Sequence, residues 1–399
     1  MIPVDDAVAI VLRETSCLPA ESVPLGEAAG RVLAAEVRAD ADQPPFAKAL
    51  MDGYALRTED VGTVPAVLDV VEEIPAGRIP ARALAKGQAA RIMTGAPLPE
   101  GADAVQMVEK SEALDEGRRV RILESVRAGG NLAPRGQELK AGAIVLEPGI
   151  VLTPARIGVL ASVGSGTVRV TRRPRVAVAP TGDELVGHDT VPAPGRIRNS
   201  NGPALLAAAS SLGAEVSDLG IVRDDPADLA ACVREGLKAD ILLLSGGVSM
   251  GAYDLVEGIL EEEGVEIFFR KVAIRPGKPA VFGRKGSCLI FGLPGNPVSS
   301  LVIFEVLVTP ALEKMHGVRF RSERSLEAVL DEAVAHHAGR TAFLPGTLSF
   351  LGGTARLKPI RTTGSADLPA YSSANALYVL PPDRERLEAG ERVRVLILT

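Results

Sequence analysis

The sequence predicts a multidomain fold of the α/β plus β class. Three observations carry that expectation. A chain of 399 residues has room for two or three domains, each with its own hydrophobic core. Residues 175–316 alternate buried-strand and helix patterns, as a parallel sheet covered on both faces does. On either side of that block, short apolar runs are cut by glycine and proline, as in small β-rich modules.

In chain order, Val4 to Leu33 carries apolar residues at helical spacing, Ala7, Ile10 and Val11 among them. A proline-rich break at Gln43-Pro-Pro-Phe46 ends that stretch. Ala66–Val71 and Arg118–Leu123 read as strands of a β-rich module reaching about Gly130. A helix is expected near Pro154–Ser162. Arg175–Ala179 is a short buried strand. Asn201–Leu212 reads as a helix with Asn201 as its N-cap and Gly213 as its stop. Glu215–Val222 is a strand, and Asp225-Pro226 opens the next helix, running to about Ala239. Asp240–Leu244 is a buried strand. A helix at Leu255–Gly264, strands at Val265–Val272 and Cys288–Leu293, and a long helix at Pro297–His316 complete the block. From Arg319 onward, Thr341–Leu344, Ala355–Lys358, Ala376–Val379 and Val393–Ile397 suggest a small β-barrel or sandwich.

Composition narrows the function. The 44 basic and 50 acidic residues give a net charge of −6, which disfavours a broad nucleic-acid surface but leaves room for a local basic pocket. Cys17, Cys232 and Cys288 are far apart and form no CxxC, so neither a disulfide framework nor a thiolate zinc site is expected. His188, His316, His336 and His337 include no HExxH pair, and the adjacent His336-His337 reads as part of a wet loop. The N-terminus does not resemble a secretory signal, and no apolar run reaches membrane-span length. A soluble, cytoplasmic protein is expected.

The chemistry concentrates in the loops after the strands of the central block. Ligands of open parallel sheets sit beyond the carboxyl ends of the strands. Here those ends run into Thr181-Gly-Asp-Glu184, Ser245-Gly246-Gly247-Val-Ser249, Arg275-Pro-Gly-Lys278 and Pro294-Gly295-Asn296-Pro297. Glycines let backbone N–H groups approach an anion, and the helix after Asn296 adds the positive end of its dipole. Arg275 and Lys278 add charge, and Glu184 and Asp254 add carboxylates where Mg²⁺ can bridge phosphate oxygens. The expected ligand bears a phosphate or pyrophosphate. There is no Walker A string and no GxGxxG, and Ser245 is not in a GxSxG elbow, which disfavours a hydrolase triad. Met51-Asp52-Gly53-Tyr54 and Met93-Thr94-Gly95 are turn-like strings that also hold reactive side chains.

With these strings in this order, the chain resembles the molybdopterin molybdenumtransferases, the MoeA family that includes the C-terminal part of gephyrin. The matching strings are Met51–Ala55, Ile92–Pro97, Gly101–Val105, Thr181–Leu185, Ser245–Ser249, Pro276–Pro279 and Leu293–Pro297. The resemblance implies a homodimer with four parts per subunit. These are a discontinuous mixed domain (1–42 and 135–170), a β-rich insertion (43–134), a three-layer α/β molybdopterin-binding domain (171–316) and a C-terminal β-barrel (317–399). It implies an enzyme that takes adenylylated molybdopterin and molybdate, inserts molybdenum and releases AMP with Mg²⁺. The active site would lie between the α/β part of one subunit and other parts of its partner. By resemblance Asp52, Thr94, Glu184 and Asp254 are catalytic. Gly246, Gly247, Ser249, Arg275, Lys278, Pro294, Gly295, Asn296, Arg340 and Ser365 bind substrate, Arg340 and Ser365 taking molybdate. Glu184, Asp254 and Glu138 are the metal candidates. Molybdopterin adenylyltransferase and recipient molybdoenzymes are the implied partners, with no nucleic acid and no membrane.

Four positions depart from the family pattern: Ala49 for a serine, Ala252 for an acid, Glu138 for an aspartate and Arg275 for a lysine. They motivate a second reading, a non-catalytic molybdopterin-binding scaffold or specialised paralogue. A third is an adenylyltransferase acting one step earlier.

Overall fold

The computed structural model describes residues 1–246, 253–319 and 324–398, with the side chains of Tyr253 and Asp254 outside that description. It divides into two compact units: Met1–Ala35 with Pro148–Thr153 and Thr167–Thr399, and Glu36–Glu147 with Pro154–Gly166.

The first unit is organised by a six-stranded sheet in the order Glu215–Asp218, Arg175–Pro180, Ile241–Ser245, Cys288–Leu293, Pro279–Lys285, Glu266–Lys271. The central strand Ile241–Ser245 is buried at all five positions, as a strand covered on both faces must be. Alternation along Arg175–Pro180 sends Val176 and Val178 into one core with Leu205, Ala209 and Phe291. Ala177 and Ala179 go into the other, with Leu229, Val233 and Ile259. Helix Asn201–Ser211 therefore covers one face, and Pro226–Gly236 and Tyr253–Glu262 the other.

Three expectations change. The first four strands are parallel, but Pro279–Lys285 runs antiparallel between Cys288–Leu293 and Glu266–Lys271. Its signal is the two-residue turn Gly286-Ser287 joining Lys285 to Cys288, with Gly286 at φ +58°. Two antiparallel steps restore direction, so Glu266–Lys271 still ends at the same edge as the parallel strands.

Second, the long helix is not uniform. It runs Pro297–Ile303, passes through a π turn at Phe304–Val308 and resumes as Thr309–Met315. Pro310 has no N–H for the carbonyl of Val306, and its ring crowds that turn, so the ladder widens just before it. Third, the N-terminal helix stops at Glu14. Pro19 and Pro24 bracket a strand instead, Ala20–Pro24, paired antiparallel with Thr167–Thr171.

The C-terminal strands close into a five-stranded barrel. Thr341–Leu351 pairs with Thr354–Pro359, then Ser325–Leu330, Arg392–Ile397 and Ala376–Leu380 follow, and the last pairs back to Thr341–Leu351. Ala328, Leu330, Ala342, Leu357, Tyr378, Leu380, Val393 and Val395 fill its interior. Ile274–Arg275, just past the end of a sheet strand, adds in parallel to the start of Thr341–Leu351. That pairing fixes the barrel at the sheet's carboxyl edge.

The second unit holds a six-stranded sheet in the order Ala104–Met107, Gly53–Leu56, Gln88–Ile92, Ala66–Ile74, Arg119–Ile122, Ser111–Leu114. Apolar side chains pack on both faces, Ala55 and Ile92 on one and Tyr54 and Leu56 on the other. Gly53 is fixed by the backbone of the neighbouring strand: a Cβ there would lie 1.9 Å from the carbonyl oxygen of Gln106.

Candidate active site

The loops at the carboxyl edge of the first unit's sheet build two adjoining compartments. One, of about 520 Å³, is lined by Thr181, Glu184, Asn201, Ser245, Gly246 and the Pro294–Pro297 turn. The other, of about 950 Å³, opens between that edge and the barrel, with Arg275, Lys278, Arg340, Arg361 and Ser365 on its walls. Pro279, Pro294 and Asn296 line both.

The smaller compartment is held by side chains that reach between loops. Asn201 Nδ2 donates to Ser245 Oγ and to the carbonyl of Gly295, each at 2.8 Å. A carbonyl can only accept, so Gly295 fixes which end of the amide points where. Asn201 Oδ1 is left buried without a partner, and so is Thr181 Oγ1. Ser300 Oγ donates to the carbonyl of Pro294. Gly246, at φ +103°, lies so close to Thr181 that a Cβ would come within 2.2 Å of its carbonyl oxygen. The exposed Glu184 curls over Gly182, where a Cβ would meet its carboxylate at 2.5 Å.

The larger compartment is cationic. Ile274 stands opposite Thr341 and Arg275 opposite Ala342, so Arg275 and Arg340 reach the cleft from adjacent strands. Among the described residues none of Arg275, Lys278, Arg340 and Arg361 has an ion-pair partner, and Glu332 is the one carboxylate on the wall. Uncompensated positive charge in a low-dielectric cleft favours a compact dianion. The helix N-terminus after Asn296 contributes less than the sequence suggests. Pro297 has no N–H, and the N–H of Val298 is taken by the Ser365 carbonyl at 3.2 Å, which anchors Ser365 at the cleft.

In the second unit Asp52 and Thr94 form one device. Asp52 Oδ1 accepts from Thr94 Oγ1 at 2.6 Å and from Thr94 N at 2.7 Å. The Thr94 hydroxyl, then its N–H, holds the carboxyl below the usual carboxylate range. Glu138 belongs to the same unit and faces Lys48, Oε1 to Nζ 3.6 Å.

Comparison with known proteins agrees along the whole chain. Residues 2–164 match the MoeA N-terminal region (domain I and II), 177–314 the "Probable molybdopterin binding domain", and 327–398 the MoeA C-terminal region (domain IV). A molybdopterin molybdenumtransferase of Nostoc sp. is 39% identical over 95% of this chain and 88% of its own length. That of Bacillus subtilis is 33% identical over 100% of this chain and 94% of its own. The chain belongs to the MoeA family. Two structures of a MoeA molybdopterin biosynthesis protein from Pyrococcus horikoshii superpose with TM-scores of 0.86 and 0.85, at 32% and 30% identity. They cover all of this chain and 99% and 100% of the archaeal ones. A molybdenum cofactor biosynthesis protein from Pyrococcus furiosus, at 21% identity and TM-score 0.62, shares the fold.

Within this MoeA chain, the cleft gathers Arg275, Lys278, Pro294, Asn296, Arg340 and Ser365, and the smaller compartment gathers Glu184, Gly246, Pro294, Gly295 and Asn296. Gly247, Ser249 and Ala252 lie outside the described residues. Asp254 is in the first turn of helix Tyr253–Glu262, its side chain outside the described part. Ala49, where the family pattern has serine, is 1% exposed among Ala55, Ile92 and Ala96, so its side chain faces an apolar core.

Asn201 is a correction. Ser200 holds the N-cap position without a side-chain cap bond, and Asn199 Oδ1 accepts from the N–H of Gly202. Asn201 is thereby free to serve the site. The sequence signal is the run Asn199-Ser-Asn201, with three cap-capable residues where one suffices. Arg361 also went unnoticed, because nothing local marks an exposed arginine in a barrel loop.

Proposed function

We propose that this chain inserts molybdenum from molybdate into adenylylated molybdopterin and releases AMP in a Mg²⁺-dependent reaction. The observation that carries the reading is the pairing of two compartments that share Pro279, Pro294 and Asn296. The smaller suits a phosphoanhydride beside a carboxylate, and the cationic cleft suits a small dianion. In this reading Arg340, Ser365, Lys278 and Arg275 take molybdate. Gly246, Gly247, Ser249, Gly295 and Asn296 hold the adenylylated pterin, and Asp52 with Thr94 serves the same chemistry.

The donor set suits Mg²⁺, which binds through one or two carboxylates and completes its shell with water and substrate phosphates. Glu184 and Asp254 would hold it, whereas Glu138 already faces Lys48. When bound, Mg²⁺ would neutralise charge on the phosphates as AMP departs. Glu184 is itself unpaired among the described residues, so its charge is available to the site.

The reading includes a homodimer with four domains per subunit, a cytoplasmic location, and exchange with an adenylyltransferase and recipient molybdoenzymes. Among the described residues no helix is long and apolar enough to cross a membrane.

The test is AMP release from adenylylated molybdopterin with Mg²⁺, with and without molybdate. Molybdate-stimulated release that retains molybdenum on the pterin, lost in Glu184→Gln, is the expected result. Binding of the adenylylated pterin without release would refute insertion and leave the scaffold reading.

A further inference from the structure

We propose that His336 is a substrate-contacting residue of the larger cleft, supplying a hydrogen bond to the tetrahedral oxyanion that enters it. The inference rests on the reading of that cleft as the molybdate site. Sequence alone places His336-His337 in a wet loop; both lie in the loop after Val334–Ala335 and His337 is exposed, but the His336 ring is not wet. Val334–Ala335 pairs antiparallel with Arg386–Leu387, and the N–H of His336 donates to the Glu385 carbonyl at 2.8 Å. The backbone under the ring is therefore pinned, and His336 stands on the cleft wall with Lys278, Arg340 and Ser365.

The ring is a different matter. His336 is partly buried, and both ring nitrogens are closed off from water without a hydrogen-bond partner. Imidazole always carries at least one N–H donor, and buried donors are nearly always paired. Here the pairing partner is missing, while the wall around the ring is built for an anion. A half turn about the Cβ–Cγ bond exchanges Nδ1 with Cδ2 and Nε2 with Cε1. That turn breaks no hydrogen bond, because the ring makes none. A ring turned in this way would offer an N–H to an oxyanion oxygen without giving up a hydrogen bond.

The fit is chemical as well as geometric. A tetrahedral dianion presents four oxygens, each an acceptor. Arg275, Lys278, Arg340 and Arg361 already supply charge, and Ser365 a hydroxyl. An imidazole N–H adds a directed donor beside the four cations.

The experiment is equilibrium dialysis of the full chain against molybdate, read by elemental analysis, beside binding of adenylylated molybdopterin and a melting curve. His336→Ala should weaken molybdate binding about tenfold, the size expected for one hydrogen bond to a charged group. Pterin affinity and Tm should stay unchanged, and His336→Gln, which keeps an N–H donor, should recover most of the loss. Arg340→Ala is the reference variant. If it loses molybdate while His336→Ala binds normally, the cleft reading stands and the role of His336 falls. If the unaltered chain binds no molybdate, both fall. Equal loss of both ligands in His336→Ala, or no rescue by glutamine, means a structural role and overturns the inference.

Discussion

Replacing Asn201 by alanine separates the cohesion of the smaller compartment from the charge of the cleft. Asn201 Nδ2 makes two hydrogen bonds of 2.8 Å, one to the end of strand Ile241–Ser245 and one to the Pro294–Asn296 turn. Each such bond contributes about 1 kcal/mol net, so Asn201→Ala costs about 2 kcal/mol. In a unit of this size that lowers the unfolding midpoint by roughly 4–8 °C. The loosened loops bear Gly246 and Gly295, so adenylylated molybdopterin should bind roughly tenfold more weakly. Molybdate affinity should not move, because Asn201 lines the smaller compartment and not the cleft. Asn201→Asp should fall below alanine, since one carboxylate oxygen would face the Gly295 carbonyl. Calorimetry measures the midpoint, and paired titrations measure both ligands. A midpoint within about 1 °C of the unaltered chain, with pterin affinity intact, refutes the reasoning.

Three further outcomes are expected from the same geometry. Gly246→Ala should destabilise far more than Gly220→Ala in urea unfolding. Both glycines have positive φ, but the added Cβ meets Thr181 O at 2.2 Å in the first case and open space in the second. Thr94→Val should shift the Asp52 carboxyl upward in an NMR titration. The Thr94 hydroxyl is the largest influence holding it low, so activity that needs the carboxylate should fail at a higher pH on acidification. In the body of the first unit, burial opposes ionisation of Asp240, but bidentate bonds from Arg172 at 2.6 Å and the N–H of Arg175 outweigh it. Its folded-state value is depressed, so its stabilisation is present above the ordinary carboxylate range and is lost as pH falls through the folded value. Asp240→Asn should reduce that acid-dependent loss in melts below pH ~4.

How much could be read beforehand depended on whether the signal was local. Arg175–Pro180, Ile241–Ser245 and Cys288–Leu293 were legible because a strand buried on both faces is apolar throughout. The edge at which their loops converge follows from parallel strands, so Arg275, Lys278 and the Pro294–Asn296 turn could be grouped from sequence. The signal for Pro279–Lys285 is confined to the Gly286-Ser287 turn, and its antiparallel place in the sheet follows from pairing and not from composition. The placement of Asn201 was misread for a related reason: a cap residue and a loop-bridging residue have the same chemistry, and only the position of Gly295 decides between them. His336 marks the far end of that scale. Its ring is defined by what it lacks, a partner for its nitrogens, and an absence of that kind exists only once the surrounding wall has been folded into place.

Ala49 shows the same dependence on packing. Against the family pattern it looks like a lost hydroxyl near Asp52, and restoring serine looks like a route to more activity. Packing gives the opposite expectation. The side chain sits at 1% exposure in an apolar cluster, while Asp52 and Thr94 are exposed. A hydroxyl placed there must find a buried partner or cost about 1–3 kcal/mol. Its own backbone groups are already engaged: its N–H donates to Ala96 O at 3.0 Å, and its carbonyl accepts from Gly95 N at 2.8 Å. Ala49→Ser should therefore lower the unfolding midpoint and leave molybdate-stimulated AMP release unchanged. A clear rise in turnover with no change in midpoint would show that position 49 acts on the Asp52–Thr94 pair after all.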